Sequence, residues 1–126
     1  MAAGKNGFRG SVCRGEATGT AGAVNARTSW DAGNKYGNGT DTNYDPRWGL
    51  EHELKSLNLM FSMMDVIKLM GPNSASYIEM SDQLGTIEAG KLADIVLHQG
   101  NPLDGYWNFL NAKVVLKGGA IVVDKR

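Results

Sequence analysis

The chain has 126 residues, enough for one domain of ordinary size with a modest core. Thirteen Lys and Arg balance thirteen Asp and Glu, so the formal net charge is zero and no pull toward nucleic acid or an anionic membrane is expected. Cys13 is the sole cysteine, which excludes an intrachain disulfide and a thiolate zinc cluster.

In chain order, the first third is glycine-rich. Nine of the 17 glycines fall within the first 40 residues, where large apolar side chains are few. Ordering such a stretch costs backbone entropy that little burial offsets, so residues 1 to about 25 read as loop or disorder. Residues 1–8 contain Lys5 and no apolar run, so no secretory leader is expected and a cytoplasmic setting is. A strand is expected near 35–41. From Leu50 the pattern turns helical: Leu50, Leu54, Leu57 and Phe61 recur at spacings of four, three and four, one apolar face. Ser62 followed by Asp65 resembles a capping box and opens a second helix. Gly71-Pro72 is expected to stop that helix, with Pro72 starting a third through about Met80. The stretch 57–70 is too short and too polar to span a bilayer.

The last third reads as β. Ala93-Asp94-Ile95-Val96-Leu97-His98 is a short apolar run between glycine-containing turns. Val114-Val115-Leu116 and Ile121-Val122-Val123 flank Lys117-Gly118-Gly119-Ala120, a hairpin signal because Gly accepts the positive φ such turns need. Helices followed by three or four strands leave the sheet short of a covering layer.

Two motifs carry chemistry. In Gly39-Thr40-Asp41-Thr42, a carboxylate beside a hydroxyl at a strand end can bind a divalent cation or take a proton from water; an Asx-type turn is the plain alternative. The second, Leu84-Gly85-Thr86-Ile87-Glu88-Ala89-Gly90-Lys91-Leu92-Ala93-Asp94-Ile95-Val96, is longer and more specific. It resembles the G-x-I-x-x-G-K-x-A-D-hydrophobic signature near the C-terminus of the metal-dependent amidohydrolase superfamily, in particular its imidazolonepropionase/dipeptidase-like branch. Gly100-Asn101-Pro102-Leu103-Asp104 and the hairpin follow in the order that superfamily has them. The resemblance covers roughly residues 30–126 and leaves 1–29 unplaced.

What the resemblance implies is an α/β chain: the C-terminal fragment of a (β/α)8 barrel, its last strand and helices, followed by strands of a small β-sandwich. The division expected is a glycine-rich lead over 1–29, barrel elements over 30–83 and sandwich strands over 84–126. Active sites of this barrel lie at the C-terminal mouth of the strands. The implied reaction is metal-dependent hydrolysis of a carbon–nitrogen bond, amide-type or in a dipeptide. Zinc or another divalent metal supplies hydroxide and polarises the carbonyl, and an aspartate on the last strand acts as general base. By motif match Asp41 is both that catalytic base and a metal ligand. Arg47 and Trp48, in the loop that follows, would meet the substrate at the pocket rim, or else pack as surface loop.

This chain departs from the pattern in its histidines. It has two, His52 and His98, and no His-x-His pair. His52 is expected on a helix surface or in packing, His98 at an exposed strand end. A hydrolytic zinc site normally uses three protein ligands, so the site is expected to be incomplete in the isolated chain, with a complementing chain or a homo-oligomer as partner beside the small-molecule substrate. The alternative is a non-catalytic module derived from the fold that buries its unpaired strands by self-association. Met60, Met63, Met64 and Met70 would fill the core, or serve such contacts.

Overall fold

The structure, a computed structural model, describes residues 19–41 and 46–126. Four α-helices come first: α1 (Gly19–Asp31), α2 (Pro46–Met60), α3 (Met63–Lys68) and α4 (Ser74–Tyr77). Three strands follow: β1 (Ile95–His98), β2 (Ala112–Lys117) and β3 (Ala120–Asp124). No helix of the described residues is long and apolar enough to cross a membrane.

Helix α2 forms where the apolar spacing places it. Leu54, Leu57 and Phe61 turn inward and join Val66 and Leu69 in the core, whereas Leu50 stays more than a third exposed. Fully burying one such side chain contributes about 1.5–3 kcal/mol, so these five residues dominate the apolar burial. Ser62 caps α3 as its sequence suggests. Its Oγ accepts the Asp65 N–H at 3.2 Å and donates to Asp65 Oδ2 at 2.8 Å. Met60, Met63 and Met70 pack against the core, and Met64 is exposed.

Three expectations are corrected. Residues 19–25, read as loop, belong to α1. The glycine-poor end of α1 supplies the reason: Ala26 and Trp30 pack on the core, with the Trp30 ring 5.2 Å from that of Phe61. Arg27 ties the helix to α3 through Asp65 Oδ2 at 3.1 Å. Tertiary burial overrides weak propensity here. The helix ends at Gly33, whose φ of +87° is the left-handed geometry of a helix terminus. Residues 1–18 of the glycine-rich lead lie outside the described residues.

The second correction concerns Gly71-Pro72, which does not stop the helix. Leu69–Asn73 forms a π-helical turn with Pro72 inside it, and the helix runs on into α4. A proline has no N–H for the regular ladder and its ring clashes with the carbonyl four residues back; a wider turn relieves both. The Leu69 carbonyl then takes both the Ser74 N–H and the Ser74 hydroxyl, the latter at 2.7 Å. Third, residues 35–41 form no strand. Among the described residues no strand lies beside them to complete a ladder.

The strands form one antiparallel sheet in the order β1-β2-β3. Val96 pairs with Val115 and Val115 with Val123. The β2–β3 turn carries Gly118 at φ +55° and Gly119 at φ +83°, the two left-handed positions of a type I′ hairpin. The Lys117-Gly118-Gly119-Ala120 signal is thereby realised. Only Val114 of the described strand residues is buried, and Val96, Leu97, Ile121 and Val122 are 45–58% exposed.

Candidate active site

The segment 35–41 is held from the helical side. Tyr36 packs its ring 6.3 Å from Trp30 and 6.0 Å from Phe61. Two residues on, the Asn38 N–H donates to Ser74 Oγ at 2.9 Å. Asp41 ends the segment with φ +46°, a left-handed conformation that Asp tolerates better than most side chains, and it is exposed. Thr42 to Asp45 lie outside the described residues. Helix α2 opens with Pro46 at its first position, a place where a missing N–H costs nothing. Trp48, in the first turn, is 63% exposed; the side chain of Arg47 lies outside the described residues. The structure therefore leaves Asp41 and Trp48 both open to solvent on either side of a short connection.

The long signature turns out to be a structural device. Gly85 has φ +94°, and a Cβ there would sit 2.7 Å from the Ala75 Cβ and 3.0 Å from the Pro72 Cα. Only glycine lets this loop close on the π turn. Thr86, Glu88 and Lys91 form a hydrogen-bonded set: Lys91 Nζ donates to Thr86 Oγ1 at 2.6 Å, and Thr86 donates to Glu88 Oε1 at 2.7 Å. The Thr86 hydrogen bond, helped by Lys91, holds the Glu88 carboxyl below its usual range. Asp94 accepts the Gly118 N–H at 2.7 Å on one oxygen and pairs with Lys117 Nζ on the other. The Lys117 bond, then the Gly118 N–H, hold its carboxyl low. The Gly119 N–H donates to the Ala93 carbonyl at 3.0 Å, so Ala93-Asp94 clamps the hairpin turn.

A cleft of about 500 Å³ lies between the π turn and this loop, lined among others by Asn38, Met70, Ser74, Leu84, Ile87 and Asp94. Asn38 Oδ1 is buried there with no donor. Asn38 and Ser74 carry no sequence signal as a pair, since 36 residues separate them; only the fold brings them together.

Neither histidine joins Asp41 in a ligand set. His52 stands on the exposed face of α2. His98, expected at an exposed strand end, is half-buried instead, with its ring 5.4 Å from Phe109 in an edge contact and its Nδ1 enclosed without a partner. The loop 99–111 folds back over it, closed by the Gln99 N–H to the Asn111 carbonyl at 2.9 Å. Among the described residues, no group of three His, Cys, Asp or Glu side chains could hold a metal ion. The described residues by themselves do not fit a metal centre.

The amidohydrolase family model matches residues 2–122. The chain belongs to the amidohydrolase family. The match reaches back to residue 2, well before residue 30, where the resemblance in the sequence starts. Among solved structures, an amidohydrolase shares 31% identity and a TM-score of 0.71 over 83% of this chain and 26% of its own. A protein from Bifidobacterium longum assigned as a prolidase shares 29% identity and a TM-score of 0.72, over 82% of this chain and 27% of its own. A Xaa-Pro dipeptidase with methionine bound in its active site shares 26% identity and a TM-score of 0.70, over 80% and 25%. No curated protein sequence matches the chain. This amidohydrolase chain thus spans about a quarter of the length of the solved structures it matches. Its mixture of helices and antiparallel sheet is part of their fold.

Proposed function

We propose that this chain is the C-terminal part of a metal-dependent hydrolase acting on carbon–nitrogen bonds, in amides or in dipeptides such as Xaa-Pro. In this reading residues 35–41 hold the place of the last strand of a (β/α)8 barrel and would pair only with strands from beyond the described residues, the helices belong to the barrel wall, and β1–β3 are strands of a small β-sandwich. The observation that carries it is the alignment of four-fifths of this chain with about a quarter of a Xaa-Pro dipeptidase and of an assigned prolidase. Asp41 is the site carboxylate. At the end of segment 35–41 and open to solvent, it accepts a proton from the water that attacks the amide carbonyl. Arg47 and Trp48, at the start of α2, border the substrate. Zinc or another divalent ion belongs to the complete site and takes its remaining ligands from beyond the described residues.

A second reading, a non-catalytic module that self-associates, is favoured by the exposed apolar residues Val96, Leu97, Ile121 and Val122. One assay separates the two. Xaa-Pro dipeptides and N-acyl amino acids are offered, with and without zinc, to the largest isolable assembly of the wild-type chain and of Asp41→Asn. The enzymatic reading expects cleavage that falls by about 10² or more in the variant. A cleaving assembly indifferent to Asp41→Asn contradicts the site assignment. A defined homo-oligomer that cleaves nothing favours the module.

A further inference from the structure

The segment that ends in Asp41 has no neighbouring strand among the described residues, yet its course is defined by the helix it crosses. Gly37 passes close to Tyr77, where an added Cβ would touch the Tyr77 ring at 3.5 Å. The next residue makes the polar tie, Asn38 N–H to Ser74 Oγ, in a half-buried position. Ser74 can hold this place because its hydroxyl serves two partners at once, donating to the Leu69 carbonyl and accepting from Asn38. In a regular helix a serine hydroxyl bonds back to the carbonyl four residues earlier. Here it reaches five residues back, because the π turn around Pro72 inserts one residue into the ladder. The extra residue resets the helix face on which Ser74 stands, and that face is the one beneath Asn38.

We propose that Ser74 is a positioning residue for Asp41, and that the π turn Leu69–Asn73 sets its place. The proposal rests on reading Asp41 as the site carboxylate. Only Gly39 and Thr40 lie between Asn38 and Asp41, so a slip at the Ser74 bond carries to the carboxylate. The anchor reaches Asp41 from the helix side and needs no strand beside it.

The test is amide hydrogen exchange and NMR on the whole chain, comparing wild type with Ser74→Ala and Ser74→Thr. Losing the acceptor should speed exchange at the Asn38 amide by about tenfold and displace the Asp41 resonances. Ser74→Thr keeps the hydroxyl and should restore both. The β2–β3 hairpin amides should exchange as in wild type, which shows that the fold persists. Unchanged Asn38 exchange in Ser74→Ala, acceleration shared equally by the hairpin, or no recovery in Ser74→Thr overturns the proposal. Hydrolysis is read separately. In a cleaving assembly Ser74→Ala should lower kcat more than it alters KM. If the Asn38 and Asp41 signals respond as expected and no assembly cleaves any amide or dipeptide, positioning stands and the enzymatic reading falls.

Discussion

The helices and the sheet of this chain are ordered by different forces. In the helical part, Leu54, Val66 and Leu69 are almost completely buried, and α1 is recruited onto them by Trp30. In the sheet, the backbone ladders are regular but only Val114 among the described strand residues is buried. Its order comes from backbone pairing, a two-glycine turn and the Asp94 clamp. A three-stranded sheet with apolar residues exposed at many positions has the local instructions for a strand layer and, among the described residues, lacks the second layer that would reward them. The difference teaches that local turn chemistry can specify a topology whose apolar surface is left for another part of a fold to cover.

The sharpest way to break this comparison is to remove the apolar burial. Leu54→Ala or Leu69→Ala should destabilise the helical part by about 2–5 kcal/mol, measured by urea unfolding followed through the helical signal. Because α1 has little else to hold it, its helical signal should be lost first. A loss below 1 kcal/mol would mean that the five-residue core does not govern this half.

Next in size is Gly85→Ala. The added Cβ would sit 2.7 Å from the Ala75 Cβ, closer than real Cβ atoms come, and tightly at 3.0 Å from the Pro72 Cα, on a backbone with positive φ, so a cost of about 1–3 kcal/mol is expected. The same substitution at Gly90, also at positive φ but with open space around it, should cost less. Equal costs would show that backbone strain alone, and not seating on the π turn, fixes the signature glycine.

The hairpin clamp gives a pH prediction. The folded Asp94 carboxyl lies below its ordinary value because of Lys117 and the Gly118 N–H. Its contribution is therefore complete above the unfolded carboxylate pKa, near ~4, and is lost as pH falls through the lower folded value. Protection of the Gly118 and Gly119 amides, taken relative to their intrinsic exchange rates, should fall in that acid window, and Asp94→Asn should show the lower protection already at neutral pH. A pH-independent hairpin would contradict the clamp.

The smallest stability effect should come from the exposed sheet residues. Val122→Thr should change the stability of the isolated chain by no more than about 0.5 kcal/mol while reducing its self-association, read by light scattering. A large destabilisation would mean that the sheet is already covered.

Much of this was legible in the residues. The spacing of Leu54, Leu57 and Phe61, the Ser62–Asp65 cap and the Gly118-Gly119 turn are local signals, and each formed as read. What was not legible depends on distant partners. Gly19 and Gly22 argue against a helix, and packing of Ala26 and Trp30 on the core, with the Arg27–Asp65 pair, overrules them. Pro72 looks like a stop because its chemistry forbids an α ladder, but a π turn accommodates it. Residues 35–41 read as a strand, but among the described residues no strand lies beside them to pair with. At the candidate site Asp41 was visible through its motif, whereas the Asn38–Ser74 tie spans 36 residues and exists only once the helix carries its π turn.

Under the proposed function, this amidohydrolase chain carries one carboxylate of a site that other protein must complete. That claim is tested most directly by measuring zinc content and absolute mass on the same purified sample, for wild type and Asp41→Ala. The account predicts no stoichiometric metal in the isolated single chain. It predicts stoichiometric metal in an assembly that supplies the missing ligands, weakened in Asp41→Ala. A monomer that retains stoichiometric zinc, unaffected by Asp41→Ala, would contradict it.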